Sequence, residues 1–228
     1  MTALLLLAKA PVPGRVKTRL GADIGMGAAA DLAALSLLDT VASASAAFGA
    51  DSCHLALDGD LHDAERSREL REALLGWTIR PQSGAGLGQR IARAHQDLAD
   101  DGVGGPVLQL GMDTPQVDAD LLHELALALL DPAGPDAVLG EAADGGWWVL
   151  GTRDPAQAAC VAGVPMSTPT TYADTLAALI AAGLRAGGAR IISDVDDVDS
   201  AGRVAGQAPH TRFGRAWAQL AATSRGAS

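Results

Sequence analysis

Short apolar runs bounded by turn residues alternate along the chain with longer, alanine-rich stretches whose apolar positions recur at helical spacing. Runs of that length suit strands buried on both faces of a parallel sheet, and the longer stretches suit the helices that cover it. The pattern predicts strands near residues 3–8, 52–57, 78–81, 106–110, 137–141 and 147–150, with helices near 25–48, 61–75, 87–100, 119–130 and 171–182. A Pro/Gly cluster at 131–135 ends one helix. Gly187 and Gly188 are read in the same way, ahead of a last strand at 190–193. The expected architecture is α/β. With no internal repeat and no dividing linker, residues 1–222 form one domain and the Ser/Gly/Ala-rich residues 223–228 a flexible tail.

Composition narrows the function classes. A chain of 228 residues with 48 % hydrophobic content can bury a sizeable core. A net charge of −10, with no long Lys/Arg run, argues against coating nucleic acid, which rests on neutralising many phosphates. The apolar run at 3–8 is too short to span a bilayer and has no basic flank before it, so the sequence predicts a cytoplasmic protein without a membrane partner. Cys53 and Cys160 are widely separated and read as core thiols. The five histidines are scattered without metal-ligand spacing, and no Gly-x-Ser-x-Gly elbow is present.

Against that acidic background, one segment stands out. KAPVPGRVKTRL, directly after the first strand, concentrates Lys9, Arg15, Lys17 and Arg19, and its prolines Pro11 and Pro13 stiffen the loop. Loops in this position lie at the carboxyl edge of an open α/β sheet, where ligands bind, and proline reduces the ordering cost of presenting cations to a triphosphate. The spacing does not fit a Walker A loop. Taken alone, the segment fits a solvated surface loop equally well.

Four further constellations follow. Asp113, in GMDTP after the run VLQL, can reach a divalent cation from the end of a central strand, or can cap the next helix. Asp144, Gly145, Gly146, Trp147 and Trp148 form either a substrate wall or a hairpin turn, with the two rings on opposite faces of a strand. In SGAGLGQR, Gly86, Leu87 and Gly88 open a helix whose free N–H groups and Arg90 suit an anion or a base edge, or else form a flexible turn. In ISDVDDVDS, Asp194 and Asp196 could complete a metal site begun by Asp113, or the run could be an acidic helix cap.

Taken in order, AKAPVPGRVKTRL, GLGQR, GMDTP, VLGEAADGGWWVLG and SDVDDVDS resemble the GT-A (nucleotide-diphospho-sugar transferase) superfamily. The resemblance is to its bacterial glycosyltransferase-like, radical-SAM/selenodomain-associated transferase members. More distantly the chain is similar to the molybdenum cofactor and 2-phospholactate guanylyltransferases. This resemblance implies a Rossmann-like three-layer α/β/α sandwich with a mostly parallel mixed sheet. It implies that Lys9, Lys17 and Arg19 face phosphates, and that Asp113 holds Mg²⁺ or Mn²⁺ with Asp196, or failing that Asp194, as second ligand. Two departures from the family pattern concern base and acceptor contacts: no acidic residue stands near Gly86, and Trp147 replaces a tyrosine.

The expected activity is metal-dependent nucleotidyl transfer from a nucleoside triphosphate to a phosphorylated or phosphonate small molecule, with release of pyrophosphate. Lys17, Arg19, Asp113 and Asp144 are the expected catalytic residues; Pro11 and Gly14 are expected to bind the nucleotide with Lys9, Lys17, Arg19, Gly86, Leu87, Gly88 and Arg90, and Gly145, Gly146 and Trp147 to bind the acceptor. The alternatives are glycosyl transfer from a nucleotide sugar, with Asp144 as base, and nucleotide binding without turnover. A homodimer is compatible with any of these.

Overall fold

The computed structural model describes residues 2–226. Its chain runs β1 (Ala3–Lys9), α1 (Thr18–Ile24), α2 (Met26–Phe48), β2 (Cys53–Asp58), α3 (Ser67–Ala73), β3 (Thr78–Pro81), α4 (Leu87–Asp100), β4 (Val107–Leu110), α5 (Ala119–Leu130), β5 (Ala137–Ala142), β6 (Trp147–Thr152), a 3₁₀ segment Pro155–Gly163, α6 (Thr171–Ala181), β7 (Ala186–Ile192), α7 (Val198–Gln207) and α8 (Arg212–Gly226). The strands form one sheet in the order β3-β2-β1-β4-β6-β5-β7. Only β6 runs antiparallel to its neighbours.

Alternation along β1 explains the three layers. Leu4, Leu6 and Ala8 enter a core with α2, α5, α7 and α8, while Ala3, Leu5 and Leu7 face α4, α6 and the 3₁₀ segment. A strand buried on both faces has no polar side, hence the unbroken sequence ALLLLA. By length and composition α2 could cross a membrane; here most of its residues are buried in the first of these cores.

After β1 the chain builds outward through β2 and β3, then returns on α4 to place β4 on the other side of β1. The strand order therefore reverses between β1 and β4. Because β6 is antiparallel, its first residue meets the carboxyl ends of all the other strands at one edge of the sheet.

Several expected boundaries differ. The helix expected over 61–75 is confined to Ser67–Ala73, because Asp60 accepts from His62 N (2.9 Å) and Asp63 N (3.2 Å) in a competing turn and Arg66 is left-handed at φ 54°. Gly187 and Gly188 lie inside β7 instead of ending a helix; Gly183, at φ 81°, ends α6. A Cβ on Gly187 would sit 2.9 Å from Pro135 Cγ, so close packing at this point accounts for glycine in the strand. Helix α8 was not expected. Its amino end is capped from α2, where buried Asp39 accepts from Arg212 N (3.1 Å) and Phe213 N (2.9 Å). The helix continues through Gly226, four residues into the expected tail, and residues 227–228 lie outside the described ones. Cys53 is buried, which pushes its thiol up to about 12, whereas Cys160 is only partly buried.

Candidate functional site

The β1 loop carries its cations on a defined backbone. Lys17 caps α1 in the left-handed conformation (φ 47°, ψ 44°), which a non-glycine residue adopts at a cost and which clusters at functional positions. That geometry turns its side chain inward, where it is 10 % exposed. The Nζ atom donates to the Val195 carbonyl and lies 2.8 Å from Asp113 Oδ1. Arg19 reaches Asp196 at 2.6 Å, with both side chains well exposed. Lys9 and Arg15 are exposed and, among the described residues, form no ion pair.

Asp113 stands just beyond the end of β4, and one backbone and one side-chain hydrogen bond join its loop to the exit of β7. Val195 N donates to Asp113 O (3.0 Å), and Gln116 Nε2 donates to Ser193 O (2.6 Å). The capping alternative for Asp113 is ruled out, because Asp118 is the N-cap of α5 and accepts from Leu121 N. In the acidic run, capping belongs to Asp197, which forms a reciprocal box with Ser200 at the start of α7. Asp194 and Asp196 are thereby left to the site.

Residues 143–146 are indeed a hairpin turn between β5 and β6, in which Gly146 N donates to Asp144 Oδ1 (2.8 Å). The turn also forms a wall. Trp148 is buried in the α2 core and donates from Nε1 to Arg190 O (2.9 Å), while Trp147 packs on the α4 side and donates to Thr175 Oγ1 (3.1 Å).

These parts enclose one cavity of about 720 Å³ across the carboxyl ends of the strands. Its wall includes Lys9, Arg15, Lys17 and Arg19 from the β1 loop, and Gly86, Leu87 and Arg90 from the start of α4. Asp113, Asp144, Gly146, Trp147, Asp194 and Asp196 complete the other side. Four of the expected residues lie off this wall. Gly88 is buried where a Cβ would approach Val161 O to 2.7 Å, so it packs α4 on the 3₁₀ segment. Gly145, at φ 88°, lets Pro169 O approach to 2.2 Å of where a Cβ would be, and its carbonyl accepts from Tyr172 N. Pro11 offers its carbonyl to Glu65 N, and Gly14 serves the turn at φ 76°.

The wall also includes residues that the sequence patterns did not single out. Gln82 donates to Ala8 O (2.9 Å) and Ala56 O (3.0 Å), bridging the ends of β1 and β2. Met166, Ser167, Thr168 and Thr171 form a further edge, with Ser167 left-handed at φ 60°. The Ser/Thr cluster around Pro165 and Pro169 was the only local signal for this edge. Gln109 and Thr114 line the cavity although both are buried, and each keeps a side-chain oxygen without a partner.

Charge in the cavity is unevenly balanced. Burial, helped by the nearby Asp144 and Asp113 carboxylates and opposed by Lys17, raises the Asp194 carboxyl above its ordinary range. Asp113 Oδ1 is buried and off the hydrogen-bond direction of Lys17 despite their short separation. Among the described residues no three His, Cys, Asp or Glu side chains converge closely enough to bind a metal unaided. A cation completed by substrate phosphates and water needs only one or two protein carboxylates, and Asp113, Asp194 and Asp196 all line this cavity.

No curated protein matches this sequence significantly. Among solved structures, the chain is similar to a proposed nucleotide-diphospho-sugar transferase from Desulfovibrio desulfuricans G20: 27 % identity, TM-score 0.82, covering 98 % of this chain and 95 % of that one. Likeness in fold alone extends to a CMP:2-keto-3-deoxy-manno-octonic acid synthetase complexed with CTP (12 % identity, TM-score 0.55, covering 89 % and 96 %). It extends also to a nucleotidyl transferase from Methanothermobacter thermautotroptrophicus (15 % identity, TM-score 0.50, covering 89 % and 95 %). The fold is thus GT-A-like, that of nucleotide-diphospho-sugar transferases. Residues 40–168, more than half of the chain, match the profile of the bacterial family described as "Uncharacterized protein conserved in bacteria (DUF2064)", and the chain belongs to that family.

Proposed function

We propose that this protein is a nucleotidyltransferase that joins a nucleoside triphosphate to a phosphorylated or phosphonate small molecule and releases pyrophosphate. The observation that carries the reading is the single cavity in which unpaired cations from the β1 loop face carboxylates from the ends of β4 and β7. The similarity in fold to nucleotidyltransferases supports it.

Strand order suggests how the substrates lie. The β3 side, with Gln82, Leu87 and Arg90, takes the nucleoside; the switch between β1 and β4 takes the triphosphate; the β6 hairpin and residues 166–171 take the acceptor. Lys9 and Arg15 meet phosphate oxygens directly. Arg19 can join them, since an exposed pair such as Arg19–Asp196 is worth only about 0–1 kcal/mol and exchanges readily. Lys17 acts differently, bracing Asp113 against the 194–196 segment.

Asp113 and Asp194 would hold Mg²⁺ or Mn²⁺. Asp194 is preferred over Asp196 because Asp196 already faces Arg19, whereas Asp194 sits half-buried among carboxylates that a cation would relieve. Bound there, such an ion supplies charge neutralisation for the phosphates. An acceptor phosphate oxygen attacks the α-phosphorus, the new P–O bond forms, and the α–β bridging P–O bond breaks with its electrons leaving on pyrophosphate. The acceptor oxygen is already anionic at neutral pH, so alignment and charge neutralisation suffice without a general base.

A second reading, glycosyl transfer from a nucleotide sugar, is favoured by one observation: Asp144 and Asp194 interact at the hairpin rim, where a carboxylate could deprotonate an acceptor hydroxyl. Incubation with each nucleoside triphosphate, Mg²⁺ and a pool of phosphorylated metabolites separates the readings. Acceptor-dependent pyrophosphate release is expected. Diphosphate release from nucleotide sugars would favour the second reading, and tight nucleotide binding without either product would indicate a protein that binds without turnover.

A further inference from the structure

Gln109 is out of place for its position. It sits in β4, a central strand whose other residues, Val107, Leu108 and Leu110, are all apolar and buried. It pairs in register with Leu5 on one side and Leu150 on the other, so its side chain projects towards the α4 layer. The residue is only 3 % exposed, and its Oε1 has no hydrogen-bond partner among the described residues. Yet it reaches the cavity wall, on the same side as Leu7, Leu87 and Ile91.

A buried amide without partners destabilises the fold relative to an apolar residue of the same shape, so its retention at a cavity calls for a ligand group. The other amide on this wall is not equivalent, since the Nε2 of Gln82 is committed to Ala8 O and Ala56 O. The carboxylates of the cavity lie in loops past the strand tips, and its cations lie at the end of β1, in the loop and helix after it and on the first turn of α4, whereas Gln109 lies inside β4 between apolar neighbours. What fits beside it is uncharged, with apolar faces and an edge of hydrogen-bonding groups. A nucleobase has that form, and a glutamine amide, donor and acceptor side by side, is suited to reading such an edge.

We propose that Gln109 is a specificity-determining residue whose amide reads the polar edge of the nucleobase. This rests on the nucleotide-binding reading above. The test is equilibrium binding of each of the four nucleoside triphosphates, with Mg²⁺, to the full chain and to Gln109→Leu and Gln109→Glu, with thermal melting of each protein alone.

The wild type should prefer one base by about ten-fold or more, and Gln109→Leu should reduce that preference to within about three-fold. Gln109→Glu, which only accepts, should move the preference towards bases presenting a donor. Gln109→Leu alone should melt no lower than the wild type, because it removes an unpaired buried amide. An unchanged base preference in both variants overturns the inference, as does an equal loss of affinity for all four nucleotides. A lower melting temperature in Gln109→Leu with base preference intact would make the residue structural and also overturn it. A wild type that binds all four nucleotides equally overturns the inference and leaves the nucleotide-binding reading standing; a wild type that binds none overturns both.

Discussion

Lys17 shows how much one residue can organise. Its left-handed backbone costs on the order of 1 kcal/mol, and the side chain that this conformation directs inward joins the β1 loop to β4 and to the segment after β7. Replacing it by methionine keeps the length and removes the charge. Lys17→Met should weaken metal-dependent triphosphate binding at least about ten-fold, because Asp113 and the β1 loop lose the group that holds them together. Lower thermal stability with unchanged affinity would make Lys17 a purely structural link. Asp113→Asn should remove the metal-dependent part of nucleotide affinity and lower the melting temperature, because it takes the counter-charge from the largely buried Lys17; an unaltered metal titration would contradict its assignment. His95 makes a separate prediction. It is fully buried, and burial lowers its imidazole from the ordinary 6.5 to about 4. As pH falls from 6.5 towards about 4, the unfolded chain gains a proton that the folded chain refuses, so stability declines by up to about 3 kcal/mol across that window. Denaturant unfolding at stepped pH should show this slope in the wild type and lose it in His95→Leu.

At the scale of elements, the hairpin between β5 and β6 and the segment leading into α6 act as one edge of the cavity. Gly145 lets them touch: it has a positive φ, and Pro169 O occupies the space of the missing Cβ. Gly145→Ala should displace the turn from residues 165–171 and impair turnover through a raised KM for the acceptor more than for the nucleotide; equal effects on both substrates would place the acceptor elsewhere. This edge also shows what could be read from sequence. The apolar runs of β1 to β6 and the periodic faces of α2, α4, α5 and α6 are local signals, and each element formed close to its expected bounds. Helix α8 depends on a cap in which the carboxylate of Asp39, far away in sequence, accepts from its first N–H groups, and the helix expected before Ser67 gives way to an Asp60 turn. The clustered cations and aspartates were legible because they stand out in charge. Gln109 and residues 166–171 were not, since only the packing of α4 and of the 3₁₀ segment brings them to the cavity.

At the scale of the molecule, the strand order collects every parallel strand end, and the start of antiparallel β6, at one edge. A substrate chain of base, phosphates and acceptor can then lie across that edge from β3 towards β5, over the switch between β1 and β4. The measurement that tests this most directly is a crystal structure of the protein with a nucleoside triphosphate and Mn²⁺, read by the anomalous signal of the metal. The account predicts manganese beside Asp113 and Asp194, phosphates against Lys9 and Arg15, and the base on the α4 side of the cavity. A nucleotide bound elsewhere, such as in the cleft between α8 and β7 that Arg190 and Arg212 line, with no metal beside Asp113, would contradict it.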